Sequence, residues 1–281
     1  MSNIIEREII NLPEKHISMI KSGWGSGCVD NAVVEKIVYL SDGLKIAGYL
    51  AYPRSISPGK KFPCIMWNRG GSKKRGAIDA FTARGIFGLM ASWGYVVFAS
   101  SYRGSIEGEG EEEFGGSDVN DIINLVNSAD EIPFADTSKW GIEGWSRGGM
   151  MTYLTLKRLP VFRAAVITCG ISDLDLTFRA NPELRARNYE LIKNWDYEKE
   201  AAARSAVKFA DLLPKNTKYL LIHGNADTVV DVNQTFDLAR KFNDYNLFYR
   251  MIIFEEGDHF LRNFRAEVDD ARKNWFDRFL K

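Results

Sequence analysis

From about residue 33 onward, short and nearly continuous apolar runs alternate with stretches of helical periodicity, and this rhythm limits the fold more than any other feature. The runs are "FPCIMWN" (62–68), "YVVFASS" (95–101), "WGIEGW" (140–145), "RAAVITCG" (163–170), "YLLIHG" (219–224) and "LFYRMIIF" (247–254). A strand that is apolar on both faces has to be covered on both faces, as in a parallel sheet with crossover helices. Helical patterns fill the gaps, over about 77–92, 117–129, 147–159, 231–243 and 262–280. Ahead of them, "VVEKIVYL" and "LKIAGYLAYP" flank Ser41-Asp42-Gly43, a turn suited to a β-hairpin. The expectation is an α/β chain with a mostly parallel, eight-stranded sheet and helices on both faces.

The 281 residues suffice for one large domain, residues 1–281. Residues 1–32 precede the first strand as an N-terminal extension, suited either to covering a sheet edge or to packing on a second subunit. Residues 172–216 break the alternation with a charged, aromatic, helical stretch, read as a cap-like insertion bordering a site. The acidic run "EGEGEEEFGG" (107–116) reads as a solvated loop, since consecutive glutamates among glycines offer no defined metal-ligand geometry.

Charge narrows the partners. Thirty-seven basic residues balance 37 acidic ones, which disfavours a nucleic-acid binder and favours a small-molecule or short-peptide substrate. No apolar run is long enough to span a bilayer, and the N-terminus lacks a signal-peptide layout, so no membrane role is expected. Three cysteines, Cys28, Cys64 and Cys169, lie far apart without metal-ligand spacing and suit a reducing, cytoplasmic location.

One serine stands out against that background. Gly144-Trp145-Ser146-Arg147-Gly148 is a G-x-S-x-G sequence between a strand-like run and a helical one. That context is what a nucleophile elbow needs: a tight strand-to-helix turn whose glycines avoid backbone collisions while the hydroxyl stands at a helix N-terminus. A serine hydroxyl needs a base, and three histidines are available. His16 lies in the irregular N-terminal segment, and His223 ends an apolar strand, where it packs or bonds at the strand's carboxyl edge. His259, between the last strand and the last helix, falls on a loop at the carboxyl edge of the sheet, where α/β sites form. The orienting acid is Asp227, just after the penultimate strand, with Asp173 and Asp175 as runners-up and Asp258 too close to His259 in sequence to serve. The order Ser146, Asp227, His259 is nucleophile, acid, base. The oxyanion donors expected are the Arg147 N–H and one from Gly70 or Gly71 in "NRGGSKK". Arg69, Lys73, Lys74, Arg75, Arg103 and Arg147 are placed around the mouth, mostly as solvated side chains. Arg69, Arg103 and Trp145 are candidate substrate contacts.

The segments "NRGG", "SYRGS", "GGSDVNDI", "GIEGWSRGGMMT", "RSAVKFADLL", "LLIHGNADTVVDVNQTFDLAR" and "GDHF" run in an order that resembles the catalytic domain of the prolyl oligopeptidase family, within the α/β-hydrolase superfamily. The resemblance implies an α/β-hydrolase fold, the triad Ser146, Asp227 and His259, and "NRGG" in place of the family's common His-Gly-Gly segment. It implies no cofactor and no metal. Family peptidases often carry a β-propeller before this domain, and the stretch ahead of the first strand is shorter than one propeller blade. The resemblance implies a serine peptidase of short peptides, while the short leading stretch raises a carboxylesterase of small acyl esters as the alternative, with a binding protein on a hydrolase fold as the second.

Overall fold

The computed structural model describes residues 2–105, 107–192 and 196–281. Residue 1 of the expected extension and residues 193–195 of the expected insertion lie outside the described residues. Nine strands occur among the described residues, one more than expected, in the order β1-β2-β3-β5-β4-β6-β7-β8-β9. The additional strand is β1 (Ile4–Ile9), which pairs antiparallel with β2 (Ala32–Ser41) inside the segment read as an extension. Only Ile4 of β1 is buried, so the strand is held by backbone pairing and leaves almost no apolar signature. Helices α1 (Glu14–Trp24) and α2 (Gly27–Asp30) follow it.

The chain forms two compact units. The first comprises residues up to Trp67, Lys73–Glu111 and Asn120–Trp140. In it, β2 and β3 (Leu44–Pro53) form the expected hairpin, in unbroken register from Ala32 opposite Pro53 to Ser41 opposite Leu44. Asp42 and Gly43 both take positive φ, 51° and 81°, the pair of left-handed residues a two-residue hairpin turn requires. The remaining elements here are β4 (Phe62–Asn68), α3 (Ala80–Ser92), β5 (Val96–Ser100), most of α4 (Asp118–Asn127) and the first half of β6 (Ala135–Trp145). Asp79 caps α3 by accepting the Thr82 N–H at 2.7 Å. Ile37, Leu50, Phe87, Met90 and Phe98 are fully buried in this unit. Each such side chain contributes about 1.5–3 kcal/mol through removal from water. Arg103 is buried too, and its guanidinium donates to Asp121 at 2.8 Å and to Asp42 at 2.7 Å.

The second unit comprises Asn68–Ser72, Glu112–Val119 and Gly141–Lys281. It holds the end of β6, then α5 (Arg147–Arg158), β7 (Phe162–Thr168), β8 (Lys218–Gly224), α9 (Asn233–Asp244), β9 (Tyr249–Phe254) and α10 (Arg265–Leu280). The β7–β8 and β8–β9 pairs are parallel, as the apolar runs implied. The helical stretch between β7 and β8 becomes α6 (Leu174–Ala180), α7 (Pro182–Asn188) and α8 (Tyr197–Arg204) with short 3-10 turns. It is pinned within this unit by hydrogen bonds. The Ser72 hydroxyl meets Asn188 Oδ1, and Arg204 Nε donates to the Phe114 carbonyl at 2.9 Å. No helix among the described residues is long and apolar enough to cross a membrane.

Candidate active site

Ser146 lies between β6 and α5 with φ 59° and ψ −123°, a conformation costing a non-glycine residue on the order of 1–3 kcal/mol. The turn is fixed from three sides by backbone bonds. The Ser146 N–H donates to Thr168 O at 3.0 Å, and its carbonyl accepts from Gly149 at 2.9 Å and Ile171 at 3.1 Å. The flanking glycines are required by close approach rather than by φ. A methyl at Gly144 would lie 2.0 Å from the Gly148 carbonyl oxygen, and one at Gly148 would lie 2.1 Å from that of Asn68. The serine therefore begins α5, and the Arg147 N–H is one of the donors that a first helical turn leaves without an intrahelical partner.

The loop after β4 passes beside Ser146. A methyl at Gly70 would meet the Trp145 carbonyl oxygen at 3.0 Å and the Ser146 Cβ at 3.4 Å. Gly71 has φ 64°, and its carbonyl accepts Arg147 Nη1 at 2.8 Å. The side chain of the residue after the nucleophile thus ties down the loop expected to supply the second oxyanion donor.

Asp227 and His259 come from the ends of two neighbouring parallel strands. The chain leaving β8 and the chain leaving β9 are pressed together, the Ala226 N–H donating to Gly257 O at 3.0 Å. A methyl at Gly224 would come within 2.1 Å of that same Gly257 oxygen, so only glycine fits. His259 Nδ1 then meets Asp227 Oδ2 at 2.8 Å. The Trp145 indole N–H donates to the His259 carbonyl at 2.9 Å, which fastens the residue before the nucleophile to the histidine loop. Trp145, proposed from the sequence as a substrate contact, therefore has its polar end engaged within the protein.

Burial by itself would raise the Asp227 carboxyl. Hydrogen bonds from His223 and His259, the charge of a protonated His259 and the Val230 N–H outweigh it and hold the group well below the usual carboxylate range. Oδ1 accepts the Val229 and Val230 N–H groups at 2.8 and 2.9 Å. The sequence places His223 at the strand end, packing or bonding there, without naming its partner. It is fully buried, and its Nε2 reaches the same Asp227 oxygen as His259, at 3.1 Å.

The other acids weighed from the sequence are engaged elsewhere. Asp173 caps α6 by accepting the Leu176 N–H at 3.0 Å, Asp175 accepts from the Tyr197 hydroxyl at 2.8 Å, and Asp258 accepts the Phe260 N–H at 3.0 Å. His16 sits edge-on to Phe81, 5.7 Å between ring centroids, in the first unit. Ligand atoms of Cys169, His223 and Asp227 lie within 4.8 Å of one another, a grouping that could hold a metal ion. The carboxylate there is already filled by donors, and His223 Nε2 also faces the Val230 carbonyl at 2.9 Å.

Two sequence expectations about charge are corrected. Arg69, Arg103 and Arg147 are buried rather than solvated, while Lys73, Lys74 and Arg75 are exposed as expected. The run 107–116 is not uniformly solvated, because Glu112 is buried and pairs with both Arg147 and Arg69. Asp118 takes the other Arg147 nitrogen at 2.5 Å, and the Phe114 ring lies 4.6 Å from the guanidinium carbon. Two buried cations face two buried carboxylates. Removing any one member leaves a charge in low dielectric, which costs about 3–5 kcal/mol. Arg69 donates to the Gly70 carbonyl at 3.2 Å and pairs with Glu112, and Arg103 pairs with Asp42 and Asp121. A buried arginine directly after a nucleophile needs a counter-charge, and that need was the available sequence signal for Glu112 and Asp118.

A mostly parallel sheet, a serine at a strained strand–helix elbow and an Asp–His pair at adjoining strand ends define an α/β-hydrolase of the serine type. The sequence pattern of the prolyl oligopeptidase family matches residues 81–281, and the chain belongs to that family. It is 32% identical over 206 residues to uncharacterized peptidase YtmA of Bacillus subtilis, covering 73% of this chain and 77% of that one. Mouse dipeptidyl peptidase 8 is 27% identical over 237 residues, 78% of this chain, and the chain spans 25% of that protein's length. The solved acylaminoacyl peptidase in complex with Z-Gly-Gly-Phe-chloromethyl ketone matches with TM-score 0.77 and 25% identity, over 90% of this chain and 42% of that one.

Proposed function

We propose that this chain is a serine peptidase of short peptides acting through an acyl-enzyme on Ser146. The observation that carries the reading is the 2.8 Å contact between His259 Nδ1 and Asp227, on a loop fastened to the residue beside Ser146. With Nδ1 committed to the carboxylate, Nε2 is the ring atom left to take the hydroxyl proton as Ser146 attacks the scissile carbonyl. Asp227, kept ionised, holds the imidazole in that tautomer and stabilises the imidazolium that forms. The Arg147 N–H and one from Gly70 or Gly71 receive the oxyanion, and loss of one such donor typically costs about 2.7–4 kcal/mol of transition-state stabilisation. His259 then protonates the leaving nitrogen, and water releases the acyl group by the reverse sequence. Three buried free thiols support a reducing location such as the cytoplasm.

The test is a panel of p-nitrophenyl esters with aminoacyl- and dipeptidyl-anilides, run beside a fluorophosphonate probe. Ser146 labels in the folded protein, both ester and anilide are cleaved, and Ser146→Ala loses several orders of magnitude in kcat. Cleavage of esters alone converts the reading to a carboxylesterase. Absence of labelling converts it to a binding protein.

A further inference from the structure

His223 is fully buried, and each of its ring nitrogens has a partner that constrains where its proton sits. Nε2 lies 2.9 Å from the Val230 carbonyl oxygen and 3.1 Å from Asp227 Oδ2. Both of those atoms only accept when the carboxylate is ionised, so Nε2 carries the hydrogen. Nδ1 lies 2.7 Å from the Thr235 hydroxyl, which can donate to it, so a neutral ring satisfies all three contacts. This proton faces the same carboxylate oxygen that accepts His259 Nδ1.

We infer that His223 is a positioning residue of the triad, donating to Asp227 Oδ2 beside His259 so that one carboxylate oxygen is shared by two imidazoles. The inference rests on the proposed roles of Ser146, Asp227 and His259. With Val229 and Val230 N–H on Oδ1, the two rings bring the nitrogen donors on the two oxygens to four and fix the plane of the carboxylate. Each donor also draws charge from that oxygen. Without His223 the carboxylate is a stronger acceptor and holds the His259 proton more tightly, so the base is ready only at higher pH. The other groups facing this trio are the Cys169 thiol, which hydrogen-bonds Asp227, and Asp258 from the loop of His259. Arg262 lies 4.8 Å above the Phe260 ring, itself edge-on to His259. None of these changes in the variants below.

The experiment compares wild type, His223→Leu and His223→Gln in two assays across pH: p-nitrophenyl ester kcat/KM and the rate of fluorophosphonate labelling. Leucine removes the donor, whereas the glutamine amide can replace Nε2–H. In His223→Leu the acid limb of both profiles moves up by about half a pH unit or more. Its plateau falls on the order of tenfold, the low end of what losing an outer hydrogen-bond partner costs at metal-ligating side chains. His223→Gln recovers the wild-type limb. A folded His223→Leu with an unmoved limb overturns the inference, as does a glutamine variant that behaves like leucine. Should the leucine variant not fold, nitrogen-15 spectra of wild type with labelled histidine decide at pH 8. An Nε2–H tautomer for His223 upholds the donor, and an Nδ1–H tautomer removes it. Wild type that neither labels nor turns over ester removes the triad reading itself, an outcome separate from an unmoved limb.

Discussion

Ser146 keeps φ 59° because three backbone hydrogen bonds and two glycine contacts leave it no other place, and its position at the start of α5 is a by-product of that constraint. Asp227 is the electrostatic counterpart, a carboxylate whose burial is outweighed by the donors around it. Its depressed titration has a consequence for stability. The folded chain binds this proton less readily than the unfolded chain, so the carboxylate stabilises the fold above the ordinary value of about 3.9. That contribution is lost as pH falls below it toward the folded value. Asp227→Asn is therefore less stable than wild type at pH 7, and the gap narrows progressively as pH falls below about 4. Urea unfolding midpoints from about pH 7 to below about pH 4 check it, and a gap independent of pH would contradict the stated origin. The residues proposed as the triad were all legible as candidates, because each type is dictated by chemistry and each sits at a strand end marked by an apolar run. The shared role of His223 was not, since nothing local in "YLLIHG" distinguishes a packed ring from one bonded to the carboxylate four residues on.

At the scale of elements, the decisive contacts are between backbones. Gly148 stands where α5 crosses the Asn68 carbonyl, and Gly224 where the exit from β8 crosses Gly257. Gly148→Ala forces the elbow and the oxyanion loop apart, so it should cost about 1–3 kcal/mol or more. It should also lower kcat of the remaining folded enzyme more than it changes KM. Thermal unfolding and steady-state kinetics on the same preparation measure both, and unaltered stability would mean the helix slides without cost. The strands and helices of the α/β core fall close to where the apolar runs put them, since a strand buried on both faces must be apolar along its length. The β2–β3 turn was equally plain, because Asp-Gly suits two successive positive φ values. Strand β1 escaped notice for the opposite reason: it buries one side chain and depends on hydrogen bonds that carry no sequence pattern.

Across the whole molecule, chemistry that looks available in the sequence is largely spent inside. All three cysteines are buried, and burial foremost pushes the Cys64 and Cys169 thiols well above the ordinary thiol range. A disulfide reagent such as dithionitrobenzoate should modify no thiol in native protein and three after unfolding in urea. Rapid reaction of even one in native protein would contradict this burial. The buried arginines tell the same story, for Arg69, Arg103 and Arg147 are neutralised by Glu112, Asp118, Asp121 and Asp42. By itself the amino-acid sequence determined the α/β alternation and the elbow, and it singled out the residues proposed as nucleophile, acid and base, because each depends on residue type and neighbours along the chain. Only the tertiary structure decided which charges face one another, which histidine shares the carboxylate and where the opening strand pairs. Those are meetings of distant segments in a low-dielectric interior, where partners are chosen by distance in space and not by spacing along the chain.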